Sequence, residues 1–154
     1  MKNFGRFIRE QTPQYIAENA VVDKAIIGEA AEIYGEVHNS VIGSGVTIAP
    51  GAVVRDSIIM NATVIGEGTV VDKAIISEDV IVGKNCKLGV GEEVPNKIKP
   101  DVYAFGLVTI GEQSVIPDNV EIGKNTAISG ETVAADYPDG KLAGGETLIK
   151  VGDK

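Results

Sequence analysis

The sequence predicts an all-β fold of one particular kind, a single chain wound into a parallel solenoid, and three observations carry that prediction. Aliphatic residues fall at Ile42, Ile48, Val54, Ile59, Ile65, Val71, Ile76, Val82 and Leu88, in steps of six, six and five that return to register every 17 residues. A 3.6-residue helical period would not preserve these columns. The residue four places after many of the inward aliphatics is small, as at Ala31, Val46, Ala52, Thr63, Thr69, Val80, Cys86, Ser114, Val120 and Thr126. The residue three places after is often Gly, Asn or Asp, as at Gly45, Gly51, Gly68, Asp79, Asn85, Asn119 and Asn125, the types that accept positive φ at a tight corner. Each step is a short strand plus a corner. Three strands close a triangular coil, and coils stacked about 4.8 Å apart pair every backbone group with the coil above or below. Each buried aliphatic contributes roughly 1.5–3 kcal/mol of transfer free energy, and a single coil cannot fold alone.

Residues 1–15 stand outside the repeat, with Phe4, Phe7 and Ile8 spaced for one apolar face and a break at Thr12-Pro13. They read as an N-terminal cap, which would cover unpaired strand edges, or as the remnant of a linker. The solenoid is expected over 16–133. Its first turns run through Ile16, Val22, Ile27, Ile33, Val37 and Ile42, and one turn shortens to 15 residues around Gly35-Glu36-Val37-His38. After Leu88 the pattern stops, and an excursion over about 91–106 carries Pro95 and Pro100, which cannot donate to a ladder. Tyr103 and Phe105 are expected to anchor the returning chain. The repeat resumes at Ile110, Ile116, Ile122 and Ile128, so at least one more coil follows. Residues 134–154 read as a C-terminal cap or tail, with Leu142, Leu148 and Ile149 available for a final strand.

Composition narrows the function classes. With 154 residues the chain is one domain by size, and its 5% aromatic content fits a slim core of Val and Ile. A formal charge of −8 disfavours nucleic acid and anionic membranes as partners. No apolar run reaches the ~18 residues of a membrane span, and no signal-peptide core follows Met1, so a cytoplasmic location is expected. The lone Cys86 excludes an intramolecular disulfide. Asn61-Ala62-Thr63 matches a glycosylation acceptor, but without a secretion signal it reads as chance within the repeat.

Candidate chemistry is sparse. Acyltransferases built on such solenoids need a general base, normally histidine, facing a groove between subunits. His38 is the one candidate here, placed by the sequence at the shortened corner and in solvent. A zinc site with three histidine ligands is excluded by the single histidine. Cys86 occupies an inward slot and reads as a structural thiol. Gly43-Ser44-Gly45 and Gly66-Glu67-Gly68 lack the third glycine and the helix of a phosphate-cradling loop. Neither a metal nor a cofactor is expected in this chain. The corners at Asp23-Lys24, His38-Asn39, Arg55-Asp56 and Asp72-Lys73 stack charges of both signs along one edge. Lys24, Arg55 and Lys73 there could serve an anionic effector or another subunit, against the plainer reading of a solvated edge of weak ion pairs.

Longer blocks are more specific than the hexad. The runs 13–22, 33–42 and 51–60, from Pro13-Gln14-Tyr15-Ile16, through Ile33-Tyr34-Gly35-Glu36-Val37-His38-Asn39, to Gly51-Ala52-Val53-Val54-Arg55-Asp56, resemble the C-terminal part of bacterial ADP-glucose pyrophosphorylase (glucose-1-phosphate adenylyltransferase). Gly106-Leu107-Val108-Thr109-Ile110 and Ile116-Pro117 extend the resemblance over nearly the whole chain. It implies a left-handed parallel β-helix of hexapeptide repeats, a handedness that the spacing itself does not fix. It further implies a role in homo-oligomer assembly and allosteric control beside a nucleotidyltransferase catalytic domain that makes ADP-glucose and pyrophosphate from ATP and glucose 1-phosphate for glycogen synthesis. The family's Gly-rich nucleotide loop and its catalytic Asp and Lys have no counterpart in this sequence, so the chain by itself is expected to make no ADP-glucose. The activator-binding lysines of plant-type members align with Glu78 and Glu112, which would repel a phosphorylated activator. Lys84 and Lys87 nearby are the alternative anion candidates. A free-standing acyltransferase using His38 and an effector-binding module remain the competing functions.

Overall fold

The computed structural model describes residues 12–150. The segment assigned to an N-terminal cap or linker lies, up to residue 11, outside the described residues. Among the described residues, parallel strands stack into seven coils. Strands β1 (Tyr15–Ile16) and β2 (Val21–Ile27) form the first coil, and β3 (Glu32–Ile33) and β4 (Glu36–Ile42) the second. The third holds β5 (Thr47–Ile48), β6 (Val53–Arg55) and β7 (Ile58–Ile59), the fourth β8 (Val64–Ile65), β9 (Val70–Asp72) and β10 (Ala74–Ile76). The fifth holds β11 (Ile81–Val82), β12 (Lys87–Val90) and, after the excursion, β13 (Val108–Ile110). The sixth is β14 (Val115–Ile116), β15 (Glu121–Gly123) and β16 (Thr126–Ser129). The chain beyond Val133 makes two short 3-10 turns and then β17 (Lys141–Leu142) and β18 (Thr147–Ile149), which pair with β15 and β16. The tail is thus a seventh coil rather than a separate cap.

These strands line three faces of a prism. The first face is a six-stranded sheet running from β1 to β14. The second and third belong to one 12-stranded sheet, because β2 and β4 each continue without interruption around the corner between them. That corner is tight enough to need the left-handed region at Lys24, Asn39, Asp56 and Lys73, with φ of 51°, 48°, 49° and 53°. At the other corners the expected positions all have positive φ, from Gly45 at 68° to Asn119 at 63°, and Asn125, at 57°, continues the first corner in the sixth coil. Ala30 and Ala62 adopt it as well, at 58° and 60°. The repeat imposes the conformation on residues that do not favour it.

The inner columns are dry. Ile33, Ile48, Ile65, Val82 and Ile116 stack behind the first face, Val37, Val54, Val71, Leu88 and Ile122 behind the second, and Ile42, Ile59, Ile76, Ile110 and Ile128 behind the third, each no more than 2% exposed. Small slots between the columns hold hydroxyls that staple one coil to the next. Thr63 donates to Ser77 O at 2.7 Å and accepts from Val80 N at 3.2 Å; Thr69 does the same for Gly83 O at 2.7 Å and Cys86 N at 3.1 Å. Every buried side-chain N or O atom of the described residues has a hydrogen-bond partner.

Two irregularities interrupt the prism. Between Ile33 and Val37 the step is four residues instead of six, and the shortened corner is Tyr34-Gly35. A Cβ on Gly35 would lie 2.3 Å from Ala52 O and 2.7 Å from Ala49 O, so only glycine passes there. The second irregularity is the excursion, which folds down over the corners of coils six and seven. Buried Asn96 donates to Asn125 O at 2.9 Å and Thr147 Oγ1 at 3.1 Å, and its Oδ1 accepts from Ile98 N and Lys99 N, both at 2.9 Å. Asn125 answers by donating to Val94 O at 2.8 Å and accepting from Gly106 N at 2.8 Å. Phe105 is not the anchor that the sequence suggests, since it is 79% exposed. The return is fixed by the two asparagines and by buried Val108, because amide side chains can satisfy a loop backbone that prolines leave without ladder partners.

Candidate functional site

The charged edge between the second and third faces follows directly from strand register. Asp23 pairs with His38, His38 with Arg55, and Arg55 with Asp72, so the four stand in one column one coil apart. Arg55 reaches Asp72 at 3.8 Å, and in the neighbouring corner column Asn39 donates to Asp56 Oδ1 at 2.7 Å. Lys24 and Lys73 occupy the two ends of that corner column. The edge is a polar ladder of mixed sign whose exposed pairs are weak, and it leaves little net field for a free anion.

His38 lies at the end of the first half of β4, three residues beyond the shortened corner rather than on it. Its side chain is 32% exposed, with Nε2 3.3 Å from Glu36 Oε2 and Nδ1 3.9 Å from Asp23 Oδ2. Both ring nitrogens therefore face carboxylates, and no nucleophile stands beside them among the described residues. Cys86 is fully buried, donates to Pro117 O at 3.1 Å, and has its thiol pKa pushed up chiefly by desolvation. A thiol so held stays protonated and unreactive. Among the described residues no group of His, Cys, Asp and Glu could hold a metal ion, and no helix is long and apolar enough to cross a membrane.

The remaining cations do not join the Arg55 and Lys73 corner. Lys84 sits on the edge between the first and second faces, where Asn85 N bonds Glu67 O, Lys84 N bonds Asp118 Oδ1 and Asn119 N bonds Lys84 O, so carboxylate residues lie in the coils on both sides of it. Lys87 is on the second face, in register with Val70 and Glu121. Glu78 and Glu112 do come together, on the edge between the third and first faces, with Gln113 N bonded to Glu78 O at 3.0 Å. That edge is acidic.

Sequence reasoning missed three surface features. The two-residue shortening at Tyr34-Gly35 opens a notch of about 440 Å³ between the fuller corners at Ala17-Glu18-Asn19 and Pro50-Gly51; the broken period was its signal. Ile26, Val41 and Ile58 form an outward apolar ladder, 69%, 42% and 42% exposed, and they stood in the sequence as plain strand residues. The Asn96–Asn125 clamp had no signal at all.

A stack of three-sided coils with hexad spacing, inward aliphatics and a serviceable outer surface defines a single-stranded left-handed parallel β-helix of the hexapeptide class. Residues 7–110 match the family described as GlmU-like, C-terminal hexapeptide, and the chain belongs to that family. It is 61% identical over 141 residues to the glucose-1-phosphate adenylyltransferase of Lachnospira eligens, a match covering 92% of this chain and 33% of that protein. With the enzyme of the same name from Acetivibrio thermocellus it shares 42% identity over 139 residues, 90% of this chain and 33% of the relative. The chain thus spans about a third of the length of the curated relatives it matches, corresponding to their C-terminal region. A GDP-perosamine N-acetyltransferase of Caulobacter crescentus shares 21% identity at a TM-score of 0.39, covering 99% of this chain and 64% of that one, a likeness too low to carry any argument about activity.

Proposed function

We propose that this chain serves as the oligomerisation and regulatory β-helix domain of a cytoplasmic glucose-1-phosphate adenylyltransferase, needs no cofactor of its own, and makes no ADP-glucose without a nucleotidyltransferase domain. The observation that carries this reading is the 61% identity across 92% of the chain to one such enzyme. The architecture supports it: the groups that could react are spent on the interior, as Cys86 and the Thr and Ser staples, or held by carboxylates, as His38. What remains for function is an outer surface. The cations open to an anionic effector, a sugar phosphate or nucleotide, are Lys24, Arg55 and Lys73, each offset by the Asp56 and Asp72 carboxylates of the same edge, while Glu78 and Glu112 would repel it.

A chimera tests the proposal. This chain replaces the corresponding third of the Lachnospira eligens enzyme, and ADP-glucose formation from ATP and glucose 1-phosphate is measured. Activity in the chimera and none in the chain alone is the expected result. An inactive, unassembled chimera, or acyl transfer from an acyl-coenzyme A by the chain alone that disappears in His38→Ala, would overturn it. Calorimetric titration of the chimera with sugar phosphates and nucleotides separates regulation from assembly, since absent heat leaves assembly as the role.

A further inference from the structure

The two ends of the stack are finished differently. At the seventh coil the chain plugs its own core: Tyr137, five residues after Thr132, is 3% exposed within the apolar cluster, and its hydroxyl meets Thr132 Oγ1 at 2.7 Å. At the first coil the inner columns lie open. Ile16 and Val22 are 49% and 37% exposed, although their register partners in the next coil, Ile33 and Val37, are fully buried. The ladder also stops there. Along the third face the carbonyls of Ile42, Ile59 and Ile76 accept from backbone N–H groups of the preceding coil, at 2.8, 2.8 and 2.9 Å. The Ile27 carbonyl accepts instead from a side chain, Gln14 Nε2, at 2.9 Å. Gln14 fills the acceptor that one more coil would use, so the chain before Thr12 does not extend the sheet at this point.

We infer that residues 4–9 cross the open end and plug it, with Phe4, Phe7 and Ile8 laid on Ile16 and Val22. Three features select this segment. Thr12 O accepts from Ala30 N at 2.7 Å, which fixes the start of the segment at the corner between the third and first faces, beside the open end. Phe7 stands five residues before Thr12, as Tyr137 stands five after Thr132, and five residues reach at most about 17 Å, the length of an ordinary strand and so of about one side of the coil. The net charges are opposite. Between Thr12 and Ala30 the chain carries exposed Glu18, Asp23 and Glu29 against Lys24 alone, and residues 2–10 carry Lys2, Arg6 and Arg9 against Glu10. The open end of a second copy would bring the same carboxylates and be repelled. Closing the end in this way buries the exposed columns and screens the strand edges from pairing with another chain. The plug stands apart from the proposed activity and holds or fails independently of it.

Two measurements on the 154-residue chain test the plug. In the first, Phe7→Cys is combined with Val22→Cys and the protein is incubated with oxidised glutathione, and mass spectrometry of protease fragments should find a disulfide within one molecule. Phe7→Cys combined with Ile81→Cys, an exposed position in the fifth coil, should give none, and Cys86 is too deeply buried to take part. In the second, Phe7→Asp alone should speed amide exchange in β2 by about 10-fold or more while the strands from Ile42 to Leu88 exchange as in the wild type, which tells loss of the plug from loss of the fold. No disulfide at Val22→Cys, equal yield at Ile81→Cys, or β2 exchange indifferent to Phe7→Asp would overturn the plug and leave the segment a linker. A disulfide joining two molecules would overturn it by giving the open end to another copy.

Discussion

Replacing Thr63 with Val isolates the staples between coils. The slot is fully buried, and the same column holds Val46 and Val80, so valine fits it by shape. What the substitution removes is a hydroxyl that donates to Ser77 O and accepts from Val80 N. Each orphaned group costs about 1–3 kcal/mol when buried, and the added methyl returns less than about 1 kcal/mol. The net loss is about 2 kcal/mol, which at this chain length lowers the melting temperature by about 4–8 °C. Thr63→Ser keeps the hydroxyl and gives up one methyl, at about 1 kcal/mol. Chemical and thermal denaturation should therefore rank wild type above the serine variant and the serine variant above the valine variant. A valine variant as stable as wild type would refute the reasoning, because it would mean that apolar volume alone sets the inner slots.

Other outcomes follow from the same packing. Cys86 should resist thiol reagents at pH 8 in the native state and react at the rate of global unfolding, as measured by reagent absorbance with and without denaturant; rapid native labelling would contradict its burial. The Lys150 ammonium, 2.8 Å away, and Val133 N, 2.7 Å away, hold the Asp136 carboxyl below its ordinary value near 3.8. A depressed carboxylate contributes stability above that ordinary value and loses it as pH falls through the lower folded one. Amide exchange at Val133 and in β18 should accelerate through that acidic range in the wild type, while Asp136→Asn should exchange faster already at neutral pH and show a flatter profile.

Much of the fold was legible because a solenoid is nearly one-dimensional. Each coil contacts only its neighbours, so the 17-residue register from Ile42 to Leu88 repeats one local solution, and the inward columns, small slots and positive-φ corners can be read off a single turn. The charged column Asp23, His38, Arg55 and Asp72 followed from the same register. Phe105 was misjudged because an aromatic residue after two prolines looks like an anchor, and only the contacts beneath the loop show which way the ring turns.

What the sequence alone determined, then, is the periodic part: a three-sided parallel coil, its lining, and the outer positions of its charges. The tertiary structure decided the aperiodic part. It placed Asn96 against Thr147, 51 residues away, set Lys84 between acidic neighbours, opened the notch at Gly35 and turned Phe105 outward. The physical reason is the same in each case. A repeating contact is specified many times over by local spacing, whereas a loop laid across distant coils is fixed by a few hydrogen bonds whose partners meet only after the stack has formed.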